Sequence, residues 1–157
     1  MSNTINLRKP THLIATVFGS GLAPKASGTF GTIASLPFCV YMLHTMSLMT
    51  YMVTLVVLTL VSVIICNKVS DDLGEHDSGK IVIDEFAGVM LTLAFIPEIT
   101  IFWVLVSFFA FRFFDVLKPF PIGWLDANLE NGWGIMLDDI AAGFAAGLVV
   151  IGLGYFI

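Results

Sequence analysis

The run from Thr50 to Cys66 holds seventeen residues and no charge. As a helix it would measure about 26 Å, close to the roughly 30 Å of a bilayer's hydrocarbon core. Four more apolar stretches accompany it: Ile33–Met49, Ile81–Ile96, Thr100–Phe114 and Ile140–Ile157. Five such runs in 157 residues leave little chain for a solvated surface. The chain has 7 basic and 12 acidic side chains, and 57% of its residues are hydrophobic. A soluble domain is about 25% charged and about 45–50% apolar. Mean hydropathy is +0.94. A disordered chain, a nucleic-acid binder with a basic face and a conventional soluble enzyme are excluded. The expected fold is all-α: one membrane-embedded domain over residues 1–157. It is a polytopic helical bundle with about four to five embedded helices and an N-terminal interfacial segment.

Details within the stretches refine this. Pro37 lies near the start of the first stretch, where a helix tolerates proline best. The third and fourth are short for a full crossing, which suggests tilt, re-entry or packing against neighbours. Pro97 separates them by a tight link. Gly143 and Gly147 form a GxxxG, which permits close helix approach in a membrane. Cys39 and Cys66 sit in apolar runs and form no CxxC, so they read as small buried hydrophobes.

Threading the stretches through a bilayer puts residues 1–32, 67–80 and 115–139 on one side. Arg8, Lys9, Lys25, Lys68, Lys80 and Lys118 all fall there, and Arg112 is one turn away. No Lys or Arg falls on the other side, so the positive-inside rule makes the first side cytoplasmic. The acids provide an independent check. Asp84 and Glu85 start the third stretch, Asp115 ends the fourth, and Asp138 and Asp139 precede the fifth, all on the same side. Only Glu98 lies opposite. An acid at a helix N-terminus has a bland explanation in the helix dipole. Asp115 lacks it, because it sits at a helix C-terminus. Three convergent acidic sites at one membrane face point to a shared cation site.

Four segments carry the chemistry. Gly19–Thr32 is glycine- and hydroxyl-rich, contains Lys25 and leads into the first membrane helix, which suits a phosphate. It lacks the GKS/T ending of a Walker loop. Lys80–Glu85 runs from an apolar segment into two acids that point about 100° apart on a helix. In Arg112–Ile122, Arg112 and Asp115 can meet at i,i+3, and Pro119 should end the helix at Lys118. In Gly132–Gly143, glycines flank Asp138 and Asp139, with Trp124 and Trp133 at headgroup level. Clustered carboxylates suit Mg²⁺. No Cys/His cluster supports zinc: His44 lies on the opposite side, and His12 and His76 lack a defining spacing.

These segments resemble the phosphatidylglycerophosphatase A family, bacterial inner-membrane lipid phosphatases that depend on Mg²⁺. The elements are the GSGLAPKASGTFGT loop, the IVIDE run, the RFFDVLKPFPI segment and GIMLDD followed by Ala142 and Gly143. The likeness extends from about Gly19 to the last helix, with Ser27 standing where the family pattern has proline. It implies hydrolysis of phosphatidylglycerophosphate to phosphatidylglycerol and phosphate, with a phospholipid and the bilayer as partners. It further implies a multi-pass protein of the bacterial inner membrane with its active site on the cytoplasmic face. Mg²⁺ would be held by some of Asp84, Glu85, Asp115, Asp138 and Asp139. Asp84, Asp115 and Asp138, with Arg112 and Lys118, would form the catalytic set. Lys25, Arg112 and Lys118 would meet the phosphate, with backbone N–H groups at Gly28, Thr29, Gly31 and Thr32. Direct water attack and an aspartyl-phosphate both remain open. The competing class is a non-enzymatic transporter or ion-binding subunit, disfavoured because no ladder of acids crosses the mid-plane. A lipid phosphotransferase is disfavoured by the missing DGxxAR start.

Overall fold

The computed structural model describes residues 4–75, 78–129 and 131–157. His76 lies outside them. Local chemistry sets the helix starts. Ser47 begins the longest helix, its hydroxyl accepting from Thr50 N–H at 3.2 Å. Thr100 and Asn131 accept likewise from Trp103 and Trp133, each satisfying a donor that the first turn leaves unpaired. The helices are α1 (Pro10–Ala15), α2 (Ser27–Thr45), α3 (Leu48–Leu73), α4 (Ile83–Leu93), α5 (Ile101–Leu117), α6 (Ile122–Asn128) and α7 (Gly132–Gly154). A 3₁₀ turn spans Ser20–Leu22. Among the described residues there is no strand, in line with the all-α expectation.

Among the described residues two helices, α3 and α7, are long and apolar enough to cross a membrane. α4 has only 11 residues, about 17 Å of helix. It is enclosed by α2, α3, α5 and α7, and Ala87–Leu93 are all buried. The apolar surface points outward instead. Val53, Val56, Val57, Leu60 and Ile64 on α3, with Phe102, Leu105 and Phe109 on α5, are exposed. So are Phe144, Leu148 and Val149 on α7. An apolar exterior of this extent is what a lipid-facing bundle presents. Small residues let the backbones meet inside it. A Cβ at Gly143 would collide with the Gly88 carbonyl, and one at Gly147 with the Phe95 ring. The GxxxG therefore seats α7 on α4 and on the loop after it.

Three features of the helix starts differ from those read in the sequence. α2 begins at Ser27 rather than Ile33, because Ala26 takes a left-handed turn (φ 52°) and the glycines beyond it continue as helix. Pro37 is thus inside α2, not near its start. α7 begins at Gly132 rather than Ile140, capped by Asn131. Asp138 and Asp139 lie two turns inside it, beyond the reach of the N-terminal dipole.

Candidate active site

The acids meet where the starts of α2 and α4, the end of α5 and the second turn of α7 converge. Asp84, Glu85 and Asp139 each bring a carboxylate oxygen within 4.8 Å of the others. With Asp115 and Asp138 they line a cavity of about 160 Å³, which Ser27, Gly79, Ile81, Lys118 and Ile135 complete. Glu85, Asp138 and Asp139 are buried. Glu85 Oε2, Asp138 Oδ1 and Asp139 Oδ2 are shielded from solvent and have no hydrogen-bond partner among the described residues. A buried carboxylate oxygen left so is costly. Oxygen donors at this spacing fit a hard divalent cation.

The cations come from α5. Arg112 pairs with Asp115 one turn on, as the i,i+3 spacing predicts, and its guanidinium is 3.8 Å from Glu85 Oε1. Asp115 thus stands at a helix C-terminus with its own counter-charge. Lys118 caps α5 in a left-handed conformation (φ 43°), so the helix ends where Pro119 requires. Its ammonium donates to Asp126 at 2.6 Å and to Asp138 at 2.8 Å. Burial alone would lower the Lys118 pKa, but these two bonds outweigh it and hold the group above the ordinary lysine range.

The glycine loop divides into parts. Gly28 packs so closely on Glu85 and Arg112 that a Cβ there would strike the carboxylate. Gly31 is pressed against Val82, and buried Thr32 bonds back to the Gly28 carbonyl at 2.8 Å. Thr29 is half-buried and Lys25 is exposed, and neither lines the cavity. The N–H groups left without a helical acceptor are those of the first turn, Ser27 to Thr29, because Phe30 N–H already bonds Ala26.

Ser27 and Asp126 were not singled out for the site from the sequence. Ser27 is the first residue of α2, a position that favours proline. Its hydroxyl instead donates to the Gly79 carbonyl at 2.5 Å, tying α2 to the segment before α4. Asp126 sits on the seven-residue α6, which has no apolar signature to mark it. A larger cavity, about 370 Å³, lies between the end of α3 and Asn131. Among the described residues Asp71 and Glu75 line it without any basic side chain, which does not suit a phosphate.

Comparison with known proteins identifies the family. The family model described as phosphatidylglycerophosphatase A matches residues 13–154. The phosphatidylglycerophosphatase A of Haemophilus influenzae is 43% identical over 152 residues, covering 97% of this chain and 93% of that protein. The Escherichia coli protein of the same name is 39% identical over 153 residues, covering 98% and 86%. A Bacteroides thetaiotaomicron protein described as a putative phosphatidylinositol-3-phosphatase is 35% identical over 137 residues, covering 83% and 85%. No solved structure gives a significant match. The matched region contains every helix that contributes an acid to the cavity, and on that footing the chain belongs to the phosphatidylglycerophosphatase A family.

Proposed function

We propose that this protein hydrolyses the terminal phosphomonoester of phosphatidylglycerophosphate, giving phosphatidylglycerol and inorganic phosphate, with Mg²⁺ as its cofactor. The carrying observation is the convergence of Asp84, Glu85 and Asp139 on one cavity that also presents Lys118, in a chain of this family. We assign it to a bacterial inner membrane as a multi-pass bundle of about four to five embedded helices. The cavity then opens on the cytoplasmic face, a reading supported by the placement of Lys and Arg.

Asp84, Glu85 and Asp139 would hold the cation, with Asp115 and Asp138 alongside. A bound Mg²⁺ supplies positive charge to the phosphoryl oxygens. Lys118 and Arg112 balance the rest of the phosphate charge, and the free N–H groups opening α2 orient it. The acyl chains stay in the bilayer beside the helices while the headgroup reaches the cavity. Catalysis is thus mainly positioning and electrostatic stabilisation.

The test is phosphate release by purified protein in mixed micelles, with Mg²⁺ and with a chelator. Phosphatidylinositol 3-phosphate serves as a second substrate, because one relative bears that name. Asp84→Asn, Asp115→Asn and Asp138→Asn should each lose most turnover, and wild-type rates in all three would sink the shared-cation reading. Radiolabel retained on protein after reaction with substrate labelled in its terminal phosphate would select the aspartyl-phosphate route over direct water attack.

A further inference from the structure

We propose that His12, which lies outside the cavity, is a positioning residue for the acidic cluster. His12 is buried, with 1% of its surface exposed. Its Nδ1 accepts from the Asn6 N–H at 3.2 Å. The ring proton therefore resides on Nε2, which donates to Asp72 Oδ2 at 2.9 Å. Lys9 reaches the same oxygen at 2.7 Å. Asp72 belongs to the last turn of α3, so the imidazole fastens α1 to α3. The carbonyl of Ala15, at the end of α1, accepts from the Val82 N–H at 2.8 Å. Val82 is the residue before α4, whose first turn holds Asp84 and Glu85. Among the described residues no side chain caps α4, and this backbone bond acts with the Ser27–Gly79 bond and the packing of Val82 on Gly31 to seat its start. His12 acts on the carboxylates through Asp72, α1 and Val82, as an outer partner orients a ligand it does not touch.

The inference rests on the phosphatase reading, and the experiment separates the two. Wild type, His12→Leu, His12→Gln, Asp72→Ala and the His12→Leu/Asp72→Ala double variant are purified full-length. Mn²⁺ binding is read by electron paramagnetic resonance, alongside kcat and KM for phosphatidylglycerophosphate. Val150→Ala, a buried position about 16 Å along α7 from Asp139, controls for plain loss of stability. The expected result is about ten-fold weaker Mn²⁺ binding and a lower kcat in His12→Leu, with KM near wild type. His12→Gln, which keeps a donor for Asp72, restores most of both, and the double variant loses no more than either single one. Mn²⁺ binding and kcat in His12→Leu equal to wild type, or changed only as in Val150→Ala, overturn the proposal. So does a wild-type protein that binds no Mn²⁺. If His12→Leu does not fold, Asp72→Ala takes its place: weaker Mn²⁺ binding with lower kcat supports the proposal, and values equal to wild type or to Val150→Ala overturn it. A wild-type protein that binds Mn²⁺ and releases no phosphate, with binding still lost in His12→Leu, supports the positioning role and sinks only the phosphatase reading.

Discussion

Gly143→Ala tests whether the close approach of α7 and α4 sets the geometry of the cluster. A methyl group there would lie within collision distance of the Gly88 carbonyl oxygen and 3.1 Å from Gly88 Cα. Carbon pairs rest at about 3.5–4.0 Å, so α7 must retreat from α4 by about 0.5–1 Å. The obstacle is backbone, which cannot rotate aside. Thr92 Oγ1 bridges the carbonyls of Gly88 and Gly143 at 3.0 and 3.1 Å, and that bridge would stretch as well. Asp139 lies one turn before Gly143, and its carbonyl also faces Gly88. The retreat therefore moves Asp139 away from Asp84 and Glu85. A misplacement of about 1 Å at a reacting centre costs about 100-fold in rate, and overpacking costs about 1–3 kcal/mol of stability. Gly152→Ala is the control, since a Cβ there meets nothing within 4 Å and gains helix propensity of about 1 kcal/mol. The assay is phosphate release at saturating substrate, with melting temperature measured on the same preparations. A Gly143→Ala protein with wild-type kcat would refute the link between helix approach and cluster geometry.

Arg112→Lys should reduce kcat at least about ten-fold, because a point charge cannot serve Glu85 and Asp115 together as a planar guanidinium does; near-normal kcat would show that charge alone suffices. Lys118 has a raised pKa, so its charge is fully present below the unfolded lysine value of about 10.4 and is lost only as pH rises through the higher folded value. Wild-type KM should therefore show no alkaline rise from Lys118 up to about pH 10, while Asp126→Asn, which removes one of the two raising bonds, should bring that rise to lower pH. Pro37→Ala should raise the melting temperature, because an interior proline removes a helical bond and costs up to about 3 kcal/mol; an unchanged value would mean that neighbouring groups already satisfy the freed carbonyl. Chelation should abolish binding of a non-hydrolysable substrate phosphonate, measured by calorimetry, and not only turnover.

The outline of the bundle was legible because it follows from apolar period and charge placement, both strictly local. Lys118 shows this well: the Lys-Pro pair alone ends α5 where the structure ends it. Helix starts were legible only where they coincide with the start of an apolar run. α2 and α7 begin six and eight residues earlier than their runs, because glycines, serine and threonine continue a helix once packing supports them. That support is tertiary: Gly31 against Val82, and Gly132 against the α3 backbone. The acids were recognisable as a group from membrane cost, since each had to be solvated, paired or bound. Their depth was not, because it depends on where α7 starts. His12 and Asp126 were invisible as partners. Their contacts with Asp72 and Lys118 join segments that no periodicity connects.

Moving the start of α7 to Gly132 changes the electrostatic argument. At a helix start, Asp138 and Asp139 would have had a dipole to justify them. Two turns inside α7 and buried, they have none. Five carboxylates then face Arg112 and Lys118, and Asp126 claims part of Lys118. Fully ionised, the cavity carries more negative than positive charge before any substrate arrives. A phosphomonoester dianion entering it unaided would meet repulsion from groups that cannot turn toward water. The same acids that disfavour the phosphate would favour a divalent cation, and a bound cation would offset most of the excess negative charge that the phosphate meets. On the proposed function the cation must therefore bind first, which is why chelation is expected to abolish affinity as well as rate. Arg112 and Lys118 alone do not suffice for phosphate recognition, because each is already engaged by the acids around it.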